Sequence, residues 1–197
     1  MMYDLSAIEE GQTPLSPEEI LQLKPKYLRT LADLNQFEST NIDKAIQNYL
    51  IKIRRINLSD ISVLKKIHKD MFNQTWKWAG EFRKSDKNLG CEWYKIPEEM
   101  NKLCANFQYW ENQKTYSPEE IAVRFHYKLV WIHPFANGNG RHARLVADIY
   151  LFQKSLPLLN WGSTLKDVNL QRKTYIEALR KADEGIFLPL IQFASGK

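Results

Sequence analysis

Apolar residues recur at three- and four-residue intervals along most of the chain, the spacing of helices with one buried face. Ile42, Ile46, Tyr49, Leu50 and Ile53 keep this spacing, as do Ile61, Leu64, Ile67, His68 and Met71. Ser16-Pro17-Glu18-Glu19 reads as a helix start, with a Ser cap, Pro at the first helical position and acids in the first turn. Pro25 interrupts that helix early. A long helical stretch is expected from about Lys26 to Arg55, broken near Thr40 or Asn41. Another helix is expected from Ser59 to about Phe72, and another from Pro97 to about Asn112. Ser117-Pro118-Glu119-Glu120 reads as a capping box opening a helix to about Ile132, with Glu120 reaching back to the cap. Later helices are expected near Gly140 to Lys154, Asp167 to Ala182 and Leu188 to Ala194.

The stretch from Gly80 to Ile96 departs from this pattern. Asn88-Leu89-Gly90 separates Glu81-Phe82-Arg83 from Trp93-Tyr94-Lys95-Ile96, which suggests a small hairpin packed on the helices. The predicted class is therefore all-α with one short β-hairpin flap.

At 197 residues the chain has room for one domain with a sizeable core, or a domain with a small appendage. Its 44% hydrophobic and 26% charged content excludes a wholly disordered chain. The net charge of +5 is scattered, and the longest basic cluster is Arg54-Arg55. That argues against nucleic acid as the partner and leaves a weak field that attracts anions. Cys91 and Cys104 do not make a disulfide framework, and the four histidines and two cysteines lack zinc-site spacing. There is no apolar run of membrane-spanning length and no signal-peptide pattern, so the expected setting is cytoplasmic, away from membranes. His68 and His126 sit among apolar residues and read as core histidines, whereas His142 reads as a surface residue. The six Trp residues read as packing rather than base-stacking groups.

Chemistry concentrates in His133-Pro134-Phe135-Ala136-Asn137-Gly138-Asn139-Gly140-Arg141-His142-Ala143-Arg144, a polar turn between two helices. Two glycines one residue apart let backbone amides approach a ligand closely. The helix that follows aims free amides and its positive end at the same loop. Arg141 and Arg144 are three apart and share a helical face, so two guanidinium groups would flank an anion cradle. His133, at the other lip, is placed to accept a proton from an incoming hydroxyl.

This segment resembles the signature of Fic-domain proteins: His, any residue, Phe, any residue, an acid, Gly-Asn-Gly-Arg, two residues, Arg. The resemblance covers about Leu58 to Phe193 and implies the Fic-fold helical bundle, with residues 1–57 as an N-terminal helical extension and 58–197 as the catalytic core. It implies a protein adenylyltransferase moving AMP from ATP to a Ser, Thr or Tyr hydroxyl of a target protein. By the same resemblance His133 is the base and Phe135 the loop's buried anchor. Gly138, Asn139 and Gly140 hold the α- and β-phosphates, and Arg141 binds phosphate. Arg144 binds the γ-phosphate or locks the loop, and Tyr175 lies near the nucleotide base. Arg83, Lys95 and Ile96 belong to a flap that aligns the target by strand addition.

Asn137 stands where the family carries an acid that helps to hold Mg²⁺. Its amide oxygen is the candidate ligand for Mg²⁺ or Mn²⁺, without the charge that magnesium prefers. A Fic-type phosphotransferase and a catalytically weak nucleotide-binding module therefore stay open as alternatives. Ser6-Ala7-Ile8-Glu9-Glu10-Gly11 resembles the family's inhibitory motif, in which the acid (here Glu10) pairs with the second motif Arg, Arg144. Glu184-Gly185 is a poorer match, because Arg180 stands where Ser or Thr belongs. Thr13-Pro14-Leu15, Leu34-Asn35-Gln36-Phe37-Glu38 and Asn137 together resemble the mobile mystery protein B subgroup. That likeness implies a toxin–antitoxin-like setting with a small helix-turn-helix partner protein. The target protein and any homo-oligomer are left open.

Overall fold

The structure, a computed structural model, describes residues 17–28, 30–52 and 55–196. Eight α-helices follow in order: α1 (Pro17–Ile20), α2 (Leu31–Gln47), α3 (Ile61–Phe72), α4 (Ile96–Gln113), α5 (Pro118–Ile132), α6 (Asn139–Gln153), α7 (Val168–Asp183) and α8 (Leu188–Ser195). α5 and α6 form the central antiparallel pair, flanked by α3 on α6, by α4 and α8 on α5, by α2 on α3, and by α7 on α8. The centre is α6, buried almost all round through Ala143, Leu145, Val146, Ala147, Ile149 and Leu151. Its polar residues Asn139 and His142 are buried too, with their side chains bonded to main-chain carbonyls or amides of the neighbouring loop and α3. Leu23, Leu28, Leu34, Ala45 and Tyr49 of the N-terminal part join the same apolar core as the central helices.

Local chemistry sets the boundaries. Thr30 and Asp33 form a reciprocal capping box at the start of α2: the Thr30 hydroxyl accepts from the Asp33 amide at 3.1 Å, and the Thr30 amide donates to Asp33 at 3.0 Å. The expected break near Thr40 or Asn41 is absent. The Thr40 hydroxyl donates back to the Gln36 carbonyl at 3.1 Å, so it satisfies itself inside the helix. Asn41 is buried but spans α3, donating to the Asp70 carbonyl at 3.1 Å and accepting from the Gln74 amide at 3.0 Å. The helix instead loosens later, into a π-helical turn over Asn48–Lys52. At α5 half of the expected capping box forms. Ser117 accepts from the Glu120 amide at 3.2 Å, while the Glu120 carboxylate turns forward to Arg124 at 2.7 Å.

The expected hairpin does not form, and among the described residues there is no extended strand. Phe82 makes an isolated antiparallel bridge with Phe135 rather than with its expected partner strand. Trp93–Lys95 coils into a 3₁₀ turn that leads directly into α4, where Pro97 favours the helix start. His142 is not at the surface; it is 1% exposed and its Nε2 lies 3.0 Å from the Leu64 carbonyl. No helix among the described residues is long and apolar enough to cross a membrane.

All four histidines are buried. Burial is the leading cause that lowers the pKa of His126 to about 3 and those of His133 and His142 to about 4, and that holds His68 well below its usual value. The unfolded chain protonates histidine below about pH 6.5, so it binds more protons than the native state there, and stability falls as pH falls. Asp148, which burial raises to about 6, opposes this with one proton. Near pH 5.5 unfolding should take up a net of about three protons. Urea midpoints measured at intervals between pH 7.5 and about 5 check this, and a flat profile would contradict neutral burial of the four rings.

Candidate active site

The turn between α5 and α6 is held from inside. Phe135 is fully buried and its main chain is clamped by Asn139, whose Oδ1 accepts from the Phe135 amide at 2.9 Å and whose Nδ2 donates to the Phe135 carbonyl at 2.9 Å. The Asn139 side chain is therefore committed to the loop, and only its main chain can meet a ligand. Gly138 caps α6 with φ 77°, and a Cβ there would lie 2.4 Å from the Phe72 ring. The first intrahelical bond runs from the His142 amide to the Gly138 carbonyl at 2.9 Å. The amides of Asn139, Gly140 and Arg141 precede it and have no helical acceptor. Gly140 has open space around it: a Cβ there would meet nothing within 4 Å. The protein's own packing does not require glycine at this position, so the bare backbone is left for something that approaches it.

His133 caps the other end of the turn. It adopts φ 54° and ψ 57°, a left-handed conformation that costs a non-glycine residue about 1–2 kcal/mol. Its amide still bonds the Leu129 carbonyl at 3.0 Å. The ring is 6% exposed and unprotonated at neutral pH, with its pKa lowered to about 4 by burial first, then by the positive charges of Arg83 and Lys87. The backbone of the 83–92 segment closes over it, since a Cβ on Gly90 would come within 2.5 Å of the His133 Cβ.

Arg83 holds that segment in place. Its Nε donates to the His133 carbonyl at 2.7 Å, one terminal nitrogen donates to the Ser85 carbonyl at 2.8 Å, and the other bonds the Cys91 carbonyl. The Arg83 amide adds a bond to the Pro134 carbonyl at 2.9 Å. Arg83 is 4% exposed, so it acts as an internal brace. Ile96 is fully buried at the first turn of α4, and Lys95 is exposed and pairs with Glu92 at 3.0 Å. These three residues do not share the edge expected of a docking strand.

The two arginines of the loop diverge. Arg141 turns to α2, where it lies 2.6 Å from Glu38, whose other oxygen accepts from the Trp76 indole at 2.6 Å. Arg144 turns to α7, with its guanidinium carbon 5.0 Å from the Tyr175 ring and 5.9 Å from the Trp161 ring. Its buried Nε has no hydrogen-bond partner. The Tyr175 hydroxyl lies 3.0 Å from His126 Nε2, and burial raises it to about 12.

Several residues here were not singled out as site residues in the sequence. Lys87 and Glu19 form an ion pair at 2.5 Å with side chains 6% and 13% exposed, joining α1 to the segment over His133. Glu38 has its partner, Arg141, 103 residues further along the chain. Asn137 is half-buried, and its Oδ1 accepts from the Gly138 amide at 2.5 Å. Among the described residues no group of three or more His, Cys, Asp or Glu side chains is placed to hold a metal ion. Ser6 and Glu10 lie outside the described residues. Glu184 caps α7 and pairs with Lys181 at 2.9 Å, away from the loop.

The fold is that of Fic-domain structures. The BepC protein of Bartonella tribocorum, solved with bound AMPPNP, superposes with a TM-score of 0.69 at 19% identity, over 92% of this chain and 97% of that one. Fic-1 of C. elegans (E274G) superposes with a TM-score of 0.67 at 22% identity, over 83% of this chain and 48% of that one. Residues 58–151 match the model of the Fic/DOC family, and the chain contains a Fic/DOC family domain. A protein adenylyltransferase Fic from Aedes aegypti is 31% identical over 166 residues, which cover 79% of this chain and 31% of the relative. A protein of the same name from Nematostella vectensis is 27% identical over 98% of this chain and 45% of its own length. The chain thus spans less than half the length of these relatives.

The two loop glycines should respond differently to alanine. Gly138→Ala should destabilise the fold by about 2–4 kcal/mol, through positive φ and overlap with Phe72. Gly140→Ala should leave stability unchanged or raise it by about 1 kcal/mol, as in any open helical position. Thermal unfolding of both variants tests this, and equal losses would contradict the open cradle.

Proposed function

We propose that this chain is a protein adenylyltransferase that moves AMP from ATP to a hydroxyl of a target protein. One observation carries the reading: an unprotonated His133 stands at one end of a short turn, and the free amides around an unobstructed Gly140 stand at the other. The names of the Aedes and Nematostella relatives and the AMPPNP bound to BepC support it. The target is a Ser, Thr or Tyr hydroxyl. Its oxygen attacks the α-phosphorus of ATP, the bond from that phosphorus to the bridging oxygen breaks, and pyrophosphate leaves. His133 takes the hydroxyl proton as the new bond forms. The α6 amides stabilise charge on the phosphates.

Mg²⁺ or Mn²⁺ fits as a passenger on ATP rather than as a resident ion. The loop offers one neutral oxygen, Asn137 Oδ1, which already accepts from Gly138, so the phosphate oxygens carry most of the binding. When bound, the ion neutralises charge on the leaving pyrophosphate. The helix-turn-helix partner and the toxin–antitoxin setting of the subgroup belong to this proposal as well.

The N-terminal part restrains the site in this reading, and Glu38 is the acid that does so within the described residues. Its carboxylate occupies Arg141 and has to be displaced before that guanidinium can serve a phosphate. Glu38→Gln keeps an acceptor for Trp76 and removes the charge. It should lower the KM for ATP several-fold, and a raised KM would make Glu38 a support for Arg141. Glu10→Gly, measured in parallel, tests the N-terminal motif separately.

The central test is incubation with cell lysate and ATP labelled at either the α- or the γ-phosphate, with His133→Ala as control. His133-dependent label from the α-phosphate is expected. Label from the γ-phosphate alone would replace the proposal with phosphotransfer, which Asn137 in place of an acid favours. No label, with ATP bound, would make the chain a nucleotide-binding module.

A further inference from the structure

His68 lies outside the signature, yet it touches both halves of the site. It projects from α3, is completely buried, and stacks on Phe135 at 3.7 Å between centroids and 14° between planes. Phe72 at 4.7 Å and Trp78 at 6.1 Å complete the surround. Its Nδ1 accepts from the Gly80 amide at 3.0 Å. A nitrogen that accepts carries no hydrogen, so the neutral ring holds its proton on Nε2. Nε2 lies 3.0 Å from the Asn137 carbonyl and is therefore the donor to it. One ring thus holds two segments far apart in sequence, the start of the 80–92 segment over His133 and the peptide that opens the anion loop.

The consequence for the loop follows from the planarity of the peptide. In a trans peptide the carbonyl and the next amide point in opposite directions, and no peptide among the described residues is cis. With the Asn137 carbonyl bonded to His68, the Gly138 amide points the opposite way, where Asn137 Oδ1 accepts from it at 2.5 Å. Gly80 is equally constrained. It has φ 82°, and a Cβ there would lie 2.8 Å from Lys69 Cβ and 2.9 Å from the Lys65 carbonyl, so its backbone sits flush on α3.

We propose that His68 is a positioning residue for the nucleotide site: through Nε2 it fixes the Asn137–Gly138 peptide that leads into the cradle amides of Asn139, Gly140 and Arg141, and through Nδ1 it fixes the covering segment relative to that cradle. The nucleotide part of this inference rests on the proposed function, whereas the two hydrogen bonds do not.

Two amide side chains separate the roles. In His68→Gln the amide reaches the position of Nε2 and can still donate to the Asn137 carbonyl. In His68→Asn it reaches only the position of Nδ1 and can still accept from Gly80. Nucleotide Kd is read by calorimetry with Mg²⁺–ATP, alongside Tm. His68→Asn should weaken ATP binding about tenfold or more, and His68→Gln about threefold at most, even where both lower Tm equally. Equal weakening of Kd, or weakening that tracks Tm alone, would overturn the positioning role. The amide resonances of Gly80 and Gly138 give a readout independent of nucleotide. His68→Asn should shift the Gly138 resonance and spare that of Gly80, and His68→Gln should do the reverse. Wild-type protein that binds no ATP would remove the proposed function, and the resonances alone would then decide whether His68 sets the two peptides. Any other pattern of shifts would reject the inference.

Discussion

The Asn139 carboxamide closes on the main chain of Phe135 through two hydrogen bonds, and the geometry of the site follows from that closure. It ties the first residue of α6 to the middle of the loop and forces the intervening chain to bulge through Gly138. With Phe135 held inside, His133 and Pro134 must climb out of α5 in two residues, which accounts for the left-handed cap at His133. The same anchored loop pairs with Phe82 and bonds the Arg83 amide through the Pro134 carbonyl, so the covering segment is placed by the loop it covers. In the proposed function Asn139 thus serves the nucleotide indirectly, by holding the amides of its own helix where an anion can use them.

Positive charge is abundant around the turn, and much of it is already engaged. Arg83 is spent on three carbonyls, Arg141 on Glu38, and Lys87 on Glu19. Arg144 lies against the faces of Tyr175 and Trp161. Of these ion pairs only Lys87–Glu19 is buried on both sides, so removing one of its partners would leave an uncompensated charge and cost several kcal/mol, whereas Arg141 is partly open to solvent and easier to release. In the proposed function a phosphate chain reaching the cradle competes with Glu38 for Arg141, because both present oxygen to the same guanidinium.

The sequence carried the helices well, because a period of 3.6 residues with Ser, Thr or Asp at the starts is a local signal. It carried the loop better still, since Gly138, Gly140, His133 and Phe135 stand in one contiguous stretch. The contacts that position the loop are not local. Glu38 meets Arg141 across 103 residues, and His68 meets Asn137 across 69. Nothing in the spacing of a core-facing histidine says which carbonyl its second nitrogen will find. The hairpin fails for a related reason: the two runs flanking the Gly-bearing turn Asn88-Leu89-Gly90 suggest strands that pair with each other, but Arg83 gathers the carbonyls of that segment and Phe82 pairs with Phe135 instead. His142 looked like a surface group because its neighbours on either side are polar or small, yet α6 is central and the Leu64 carbonyl receives it.

The low pKa of His133 bears on how a base can work there. A ring at about 4 is a weak proton acceptor, and after burial two of the causes are the charges of Arg83 and Lys87. A bound polyphosphate acts in the opposite direction, because nearby negative charge favours the protonated imidazole. Closing the mouth with a target excludes water and strengthens both effects. In the proposed function a bound nucleotide therefore brings the ring closer to the strength that proton transfer needs. In the proposed reaction the nucleotide is both the group donor and the counter-charge that makes His133 an adequate base.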